Sequence, residues 1–415
     1  MTDPIQPPPK KNPLNRSWVS TIPPAARSRA ALGLTAAAAE GRFMLQVCAD
    51  CGATQYPPRD ACHKCLSIDL PWQDIIPTGE LLAETTIRAT TDIYFRDRLP
   101  WRAGTVRLDA GPPMICHIHG DVKPYARVRL INRLDRSGQG VILALPEKDT
   151  PNMADDPHLR AISSDPSHRR VLIVDGRNPN TPDFAKALKD AGAAMILIGL
   201  SEDWLPFQGR KALEDVGAQI IPLDVTDTKS LQRLAGEFGG KIDILINNAR
   251  YIRPGGVIDR TDTNLAAREL EVNALGLMRL AQALGPAMCS RTADGTNSAV
   301  AWVNILSAWA LANEPSFGSF AASQAAALSL SQSLRAEFRA SGLRLMNVFV
   351  GPTDDEWHQP LPPPKVTPAA IARDVVRGLH GGFEDVFCGD VAKDLNERFR
   401  RNPKVLEREM TGGGV

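Results

Sequence analysis

The chain has 415 residues, 43% apolar and 23% charged, an ordinary globular composition with enough length for two or three cores. Its 48 Lys and Arg balance 47 Asp and Glu to a net charge of +1, so nothing in the bulk suggests a nucleic-acid or membrane-surface partner. No apolar run reaches the roughly 20 residues of a membrane helix, and the start, MTDPIQPPPKKNPLNRSW, lacks a signal-peptide core, so a cytoplasmic protein is expected.

Residues 1–41 read as an arm rich in Pro and basic residues, without a core of its own, followed by a helix over SRAALGLTAAAAE. Residues 42–76 hold two CxxC pairs, Cys48/Cys51 and Cys62/Cys65, ten residues apart. Each CxxC turn can present two thiolates to one cation, so the four together predict a closed, tetrahedral, structural zinc site. His63, inside the second pair, is expected to be exposed rather than a ligand.

Residues 77–147 are short apolar runs separated by turn residues, as in GELLAETTIRA, ARVRLINRLD and GVILALPE, which predicts a small antiparallel barrel. Residues 148–168, polar with repeated Pro and Asp, read as a linker. From 169 to 391 seven apolar segments (VLIVDG, AMILIGL, QIIPLDV, IDILINNA, AVAWVNILS, LRLMNVFV and EDVFCGD) alternate with helical stretches, the rhythm of a parallel sheet covered on both faces. Residues 392–415 read as a charged helical tail.

The run GRFMLQVCADCGATQYPPRDACHKC and the barrel-like segment after it resemble the acyl-CoA-associated OB-fold proteins with a rubredoxin-like zinc ribbon. The resemblance implies a zinc ribbon over 42–76, an OB-fold over 77–147, a thiolase or thiolase-like partner, and a role in holding CoA or acyl-CoA. Arg59, Arg96, Arg98 and Arg102 are the candidates for a CoA phosphate. Binding of single-stranded nucleic acid is the rival use of such modules, with Trp72, Tyr94, Phe95 and Trp101 as bases' stacking partners. The charge balance and the lack of basic runs beyond Lys10-Lys11 argue against it.

Residues 169–391 resemble the short-chain dehydrogenase/reductase superfamily, carrying in order VLIVDG, LDVTD (Leu223–Asp227), Asn247-Asn248-Ala249, Asn273, Ser307 and GPTDDEW from Gly351. The resemblance implies an α/β Rossmann-like, doubly wound sheet and would place Gly176, Asp224 and Asn248 on a nicotinamide cofactor. Ser307 and Asn273 match members of the family's catalytic set. The working pair does not match, because Phe320 stands at the Tyr position and Gln324 at the Lys position. Phe has no ionisable hydroxyl and Gln no charge, so proton transfer and its pKa tuning are both lost.

The cofactor turn Asp175-Gly176-Arg177-Asn178-Pro179-Asn180-Thr181-Pro182 keeps the family's first glycine and puts Asn180 and Pro182 at the other two. Pro182 removes a backbone donor, Asp175 adds negative charge, and Arg250 replaces the last Gly of the family's NNAG motif. These departures argue against NAD(P) binding and against an active dehydrogenase. The expected function is a non-catalytic accessory subunit of a thiolase-like acyl-CoA enzyme, whose second half mediates homo-oligomerisation through helices near 264–288 and 317–341. The alternative is an NAD(P)-dependent oxidoreductase of a 3-oxoacyl-CoA or related ketone, with catalytic groups relocated to Asp354, Asp355, Glu356 or His358.

Overall fold

The computed structural model describes residues 1–8, 21–202, 204–293 and 298–411. The middle of the expected arm, with Lys10-Lys11, and the last four residues of the expected tail lie outside the described residues. The chain divides into two compact units, one mainly Thr21–Ser164 and the other mainly Asp165–His380 with the segment from Glu384 onward. No helix of the described residues is long and apolar enough to cross a membrane.

The first unit begins with helix α1 (Leu32–Ala39) and a three-stranded antiparallel sheet of β1 (Met44–Val47), β2 (Thr54–Gln55) and β3 (Trp72–Asp74), with β1 in the middle. A closed five-stranded barrel follows: β4 (Thr78–Ile87), β5 (Trp101–Leu108), β6 (Pro113–Ile118), β7 (Arg127–Leu134) and β8 (Gly140–Pro146), with α2 (Ile93–Arg96) between the first two. Its order, β4-β5-β6-β8-β7 with β7 returning to β4 and only β6–β8 parallel, is the OB-type arrangement. Alternation sets the inside: Val128, Leu130, Asn132 and Leu134 of β7 are buried, while Arg127, Arg129, Ile131 and Arg133 are not. Closure needs a sharp bend in β4, made by a register shift between Leu81 and Ala83. Gly104 faces that bend, where a Cβ would lie 2.6 Å from the Ala83 carbonyl oxygen, so only glycine fits.

The polar stretch expected as a linker is instead folded through Ser164 and belongs to this unit. It forms a short 3₁₀ turn at Met153–Asp155 and α3 (Pro157–Ala161), capped by Asp156 through the His158 and Leu159 N–H groups. Met153, Leu159 and Ile162 pack with Leu143 and Leu145 of β8, which supplies the apolar burial that the segment cannot supply alone. The described ends of the arm are also held: the Thr2 hydroxyl donates to Asp121 Oδ1 at 2.9 Å and the Ile5 N–H to Asp155 Oδ2 at 3.2 Å.

The second unit is a seven-stranded parallel sheet of β9 (Arg170–Ile173), β10 (Met195–Leu200), β11 (Gln219–Pro222), β12 (Ile244–Asn247), β13 (Ala301–Ser307), β14 (Arg344–Val350) and β15 (Asp385–Cys388). The strand order β11-β10-β9-β12-β13-β14-β15 reverses between β9 and β12, and in such sheets ligands bind beyond the strand ends at that point. The helices are α4 (Thr181–Asp190), α5 (Arg210–Asp215), α6 (Thr228–Phe238), α7 (Asn264–Leu270), α8 (Gly276–Ser290), α9 (Gly318–Arg339) and α10 (Pro368–Gly381). A π-helical segment, Glu271–Leu275, joins α7 to α8 and carries Asn273. The C-terminal helices are α11 (Asp390–Arg401) and α12 (Pro403–Met410). Leu172, Leu197, Leu245, Trp302 and Leu345 of neighbouring strands share one core.

Candidate functional site

The four cysteines of the first unit converge. Cys48 follows β1 and opens a tight turn: Gly52 donates to the Cys48 carbonyl at 2.9 Å and holds φ at +68°, a conformation suited to glycine. The second turn repeats the pattern from Cys62 to Leu66, whose N–H reaches the Cys62 carbonyl at 3.1 Å. The sulfurs of Cys48, Cys51, Cys62 and Cys65 all lie within 4.8 Å of one another, with Cys48–Cys65 at 3.5 Å and Cys51–Cys62 at 3.6 Å. Zinc–sulfur bonds of about 2.3 Å set tetrahedral sulfurs about 3.8 Å apart, so this donor set fits a four-coordinate metal. Backbone N–H groups of Cys65 and Lys64 lower the Cys62 thiol to about 6, which favours the thiolate.

His63 turns away from the cluster and lies against Gln55, its Nδ1 3.3 Å from Oε1. Gln46 was not singled out by sequence reasoning, yet it ties the loop at Arg59 to β1. Its Oε1 accepts from the Arg59 N–H at 2.9 Å and from Gln55 Nε2 at 3.0 Å. A glutamine in a strand carries no sequence signal for such a role. Of the arginines considered for a CoA phosphate, Arg102 is occupied by Glu84 and by the His119, Gly120 and Val122 carbonyls, and Arg98 by the Tyr94 carbonyl and ring. Arg59 and Arg96 are exposed.

In the second unit the turn after β9 sits where a dinucleotide's phosphates would need free backbone donors. Four of those donors, on Gly176, Arg177, Asn180 and Thr181, are consumed within the protein. Gly176 N–H bonds the Gly199 carbonyl (2.8 Å) and Arg177 N–H bonds Asp175 Oδ1 (2.9 Å). Asn180 N–H bonds Asn178 Oδ1 (3.0 Å), Thr181 N–H bonds the Asn178 carbonyl (2.9 Å), and Pro179 and Pro182 have no N–H. The Asp175 side chain therefore occupies the nest, with its Oδ1 on the Arg177 N–H. Burial pushes its carboxyl above the usual range, and the Arg177 N–H opposes that rise.

Gly176 is required for packing, because a Cβ there would lie 2.7 Å from Ile198 Cγ2. Asn248 locks the turn to β12 by bonding the Asp175 N–H (2.9 Å), the Asp175 carbonyl (2.9 Å) and Thr181 Oγ1 (2.7 Å). Asp224 folds onto its own loop through the Thr226 N–H and hydroxyl. Arg177, the one cation of the turn, donates to the Glu202 and Leu205 carbonyls.

The catalytic end is equally committed. The Ser307 hydroxyl accepts from the Trp309 N–H at 3.2 Å, and the Ser307 N–H donates to Gln324 Oε1 at 2.8 Å. Asn273 bonds Tyr251 through both its N–H and its carbonyl, and donates to Ser323 Oγ at 2.8 Å. Phe320 is 1% exposed in an apolar cluster with Trp309 and Phe317, into which Leu395 and Leu406 of α11 and α12 also pack. Arg250 reaches the loop after β14 and pairs with Asp355 at 2.7 Å. Asp355 also bonds His358 Nδ1 (2.7 Å) and the Thr353 hydroxyl (2.6 Å). Burial alone would raise the Asp355 carboxyl, but the His358 bond and the Arg250 charge hold it well below the usual carboxylate range. Of the four polar residues expected past β14, these bonds join only Asp355 and His358. The space left among Asn178, Asn180, Arg250, Ser307, Phe320 and His358 is about 20 Å³. That volume holds about one water molecule. These residues do not fit a dinucleotide.

Comparison with known proteins agrees with this division. Residues 35–70 match the ChsH2 rubredoxin-like zinc ribbon domain, residues 72–131 the ChsH2 C-terminal OB-fold domain, and residues 183–386 the enoyl-(acyl carrier protein) reductase family. A fatty acyl-CoA reductase of Acinetobacter baylyi is 30% identical over 188 residues, covering 44% of this chain and 61% of that protein. The oxidoreductase UcpA of Salmonella typhimurium is 27% identical over 191 residues, covering 44% of this chain and 68% of that protein. The solved short-chain dehydrogenase of Burkholderia cenocepacia, in complex with NADP, is 28% identical with a TM-score of 0.52, covering 58% of this chain and 97% of that one. The chain is a fusion of a ChsH2-type zinc-ribbon and OB-fold module with a short-chain dehydrogenase-like domain.

Proposed function

We propose that the chain is a non-catalytic accessory subunit of a thiolase-like enzyme acting on acyl-CoA. In this reading zinc on Cys48, Cys51, Cys62 and Cys65 keeps the ribbon folded, and the ribbon and barrel dock the partner or the CoA. The second unit scaffolds homo-oligomers through the groove of about 410 Å³ between α8 and α9, lined by Met278, Ala281, Gly285, Leu330 and Leu334. One observation carries the reading: the backbone donors of Gly176, Arg177, Asn180 and Thr181 in the phosphate turn are already bonded inside the protein, and the catalytic positions are packed around a void of about 20 Å³.

Titration of the protein with NADH and NADPH, followed by nicotinamide fluorescence, tests this directly. No saturation at millimolar cofactor is expected, and native mass spectrometry of gently purified protein should find it with a thiolase-sized chain. A micromolar Kd for either cofactor would overturn the reading. It would favour the second one, a short-chain oxidoreductase whose Asp355–His358 pair works beside Ser307, since His358 and Ser307 line the same small cavity.

A further inference from the structure

The first unit holds a pocket that neither the zinc site nor the closed cleft uses. Its volume is about 130 Å³, and its walls come from the segments that looked connective in the sequence. Pro23, Pro24 and Arg27 of the arm, Tyr94 and Phe95 of α2, and His158 of α3 close it over Trp101, His117, Val141 and Leu143 of the barrel. Apolar and aromatic walls with a few convergent polar groups are the usual make-up of a small-molecule site.

Size and shape point to a ring. An engineered protein cavity of about 150 Å³ accepts benzene, which is close to this volume. Trp101 is the main wall: the Phe95 ring meets it edge-on at 5.1 Å and the His158 ring lies 3.9 Å away at 39°. Such surfaces favour planar, polarisable guests.

The polar groups point to a neutral guest with a hydroxyl. Trp101 Nε1 donates to His117 Nδ1 at 2.7 Å, which leaves the His117 proton on Nε2 as a donor. Burial lowers His117 to about 4 and also lowers His158, so both rings are neutral near pH 7. Two buried acceptor-capable atoms on the lining residues lack a hydrogen-bond partner among the described residues, His158 Nδ1 and Asp135 Oδ2. Asp135 is 5% exposed; its other oxygen accepts from Ser137 and Gln139, while Oδ2 faces the Arg27 guanidinium at 3.6 Å. An anion would meet Asp135 and a cation would meet Arg27, whereas a neutral hydroxyl meets no like charge and can accept from His117.

We propose that this pocket binds a small neutral ring compound carrying one hydroxyl group, of about the size of phenol. The site goes beyond the accessory reading and is independent of it. The test is fluorine NMR on the full-length, zinc-loaded protein with 4-fluorophenol, fluorobenzene and 4-fluorobenzoate as probes. The fluorophenol should bind saturably in the millimolar range or tighter, about fivefold tighter than fluorobenzene, the worth of one hydrogen bond, and fluorobenzoate should not bind. Val141→Phe and Ile162→Trp, each filling the pocket from a different wall, should abolish binding while the melting curve is retained. Absence of saturation overturns the site, as does fluorophenol binding that survives a well-folded filling variant. Fluorobenzoate binding as well as fluorophenol overturns the ligand class.

Discussion

Gln324 accepts a hydrogen bond from the Ser307 N–H at a position only 3% exposed. A lysine there could not accept that bond and would bring a charge into the same buried place. Phe320, 1% exposed, belongs to the apolar cluster that covers this end of the sheet. The residues at the family's Tyr and Lys positions thus have bonds and contacts of their own, and restoring the family's side chains should not restore its chemistry. Gln324→Lys is expected to lower stability by about 2–4 kcal/mol in urea denaturation, from an unsatisfied backbone donor and a desolvated ammonium. The double variant Phe320→Tyr/Gln324→Lys should gain no NADH binding, because the donors of the phosphate turn remain bonded to Asp175, Asn178 and Gly199. A double variant that binds NADH and melts like the parent protein would mean that the cleft is open and only its catalysts were lost.

The last two helices act as a lid on that cluster. Leu395 of α11 and Leu406 of α12 are 2% and 1% exposed, with Phe399 and Met410 packed beside them, while Arg398 of α11 bonds Glu409 of α12. Leu406→Ala should destabilise the second unit by about 2–5 kcal/mol, the cost of an unfilled core cavity, and raise the solvent quenching of Trp309 fluorescence. An unchanged midpoint would show that α12 is only loosely applied. Much of this level of organisation was legible in the sequence. The seven apolar runs from VLIVDG to EDVFCGD became β9–β15, and the inner strands among them are nearly continuously apolar because both of their faces are buried. The apolar run ARVRLINRLD between turn residues announced β7, and the CxxC spacing announced the cysteine cluster. The stretch around α3 was not legible. Met153, Leu159 and Ile162 are isolated apolar residues without a period, and they find burial only on β8, which the local sequence does not encode. The substitutions in the cleft were visible, but not the bonds that their side chains make. Asn178 bonds a carbonyl 70 positions away and Arg250 a carboxylate 105 positions away, and only the fold brings those together.

At the scale of the whole molecule, two units with separate cores imply separate cooperativity. The barrel core runs through Leu45, Leu81, Ile118 and Leu130, and the sheet core through Leu172, Leu245 and Trp302. The ribbon has little core of its own beyond Cys48, Ala53 and Cys62 with Leu70 beside them, so its order depends on the metal that its cysteines fit. Structural zinc contributes about 10–16 kcal/mol of apparent binding energy to zinc-finger peptides, comparable to the roughly 5–15 kcal/mol by which whole domains are stable. Calorimetry is therefore expected to show two transitions, with a strong chelator, or Cys48→Ala, lowering the first unit's and leaving the second's in place. The same variant should contain no zinc and should no longer co-purify with a partner enzyme. Two transitions that move together on chelation would show one cooperative body. In that case loss of the partner could not be assigned to the ribbon, and the docking role would have to be sought elsewhere in the fusion.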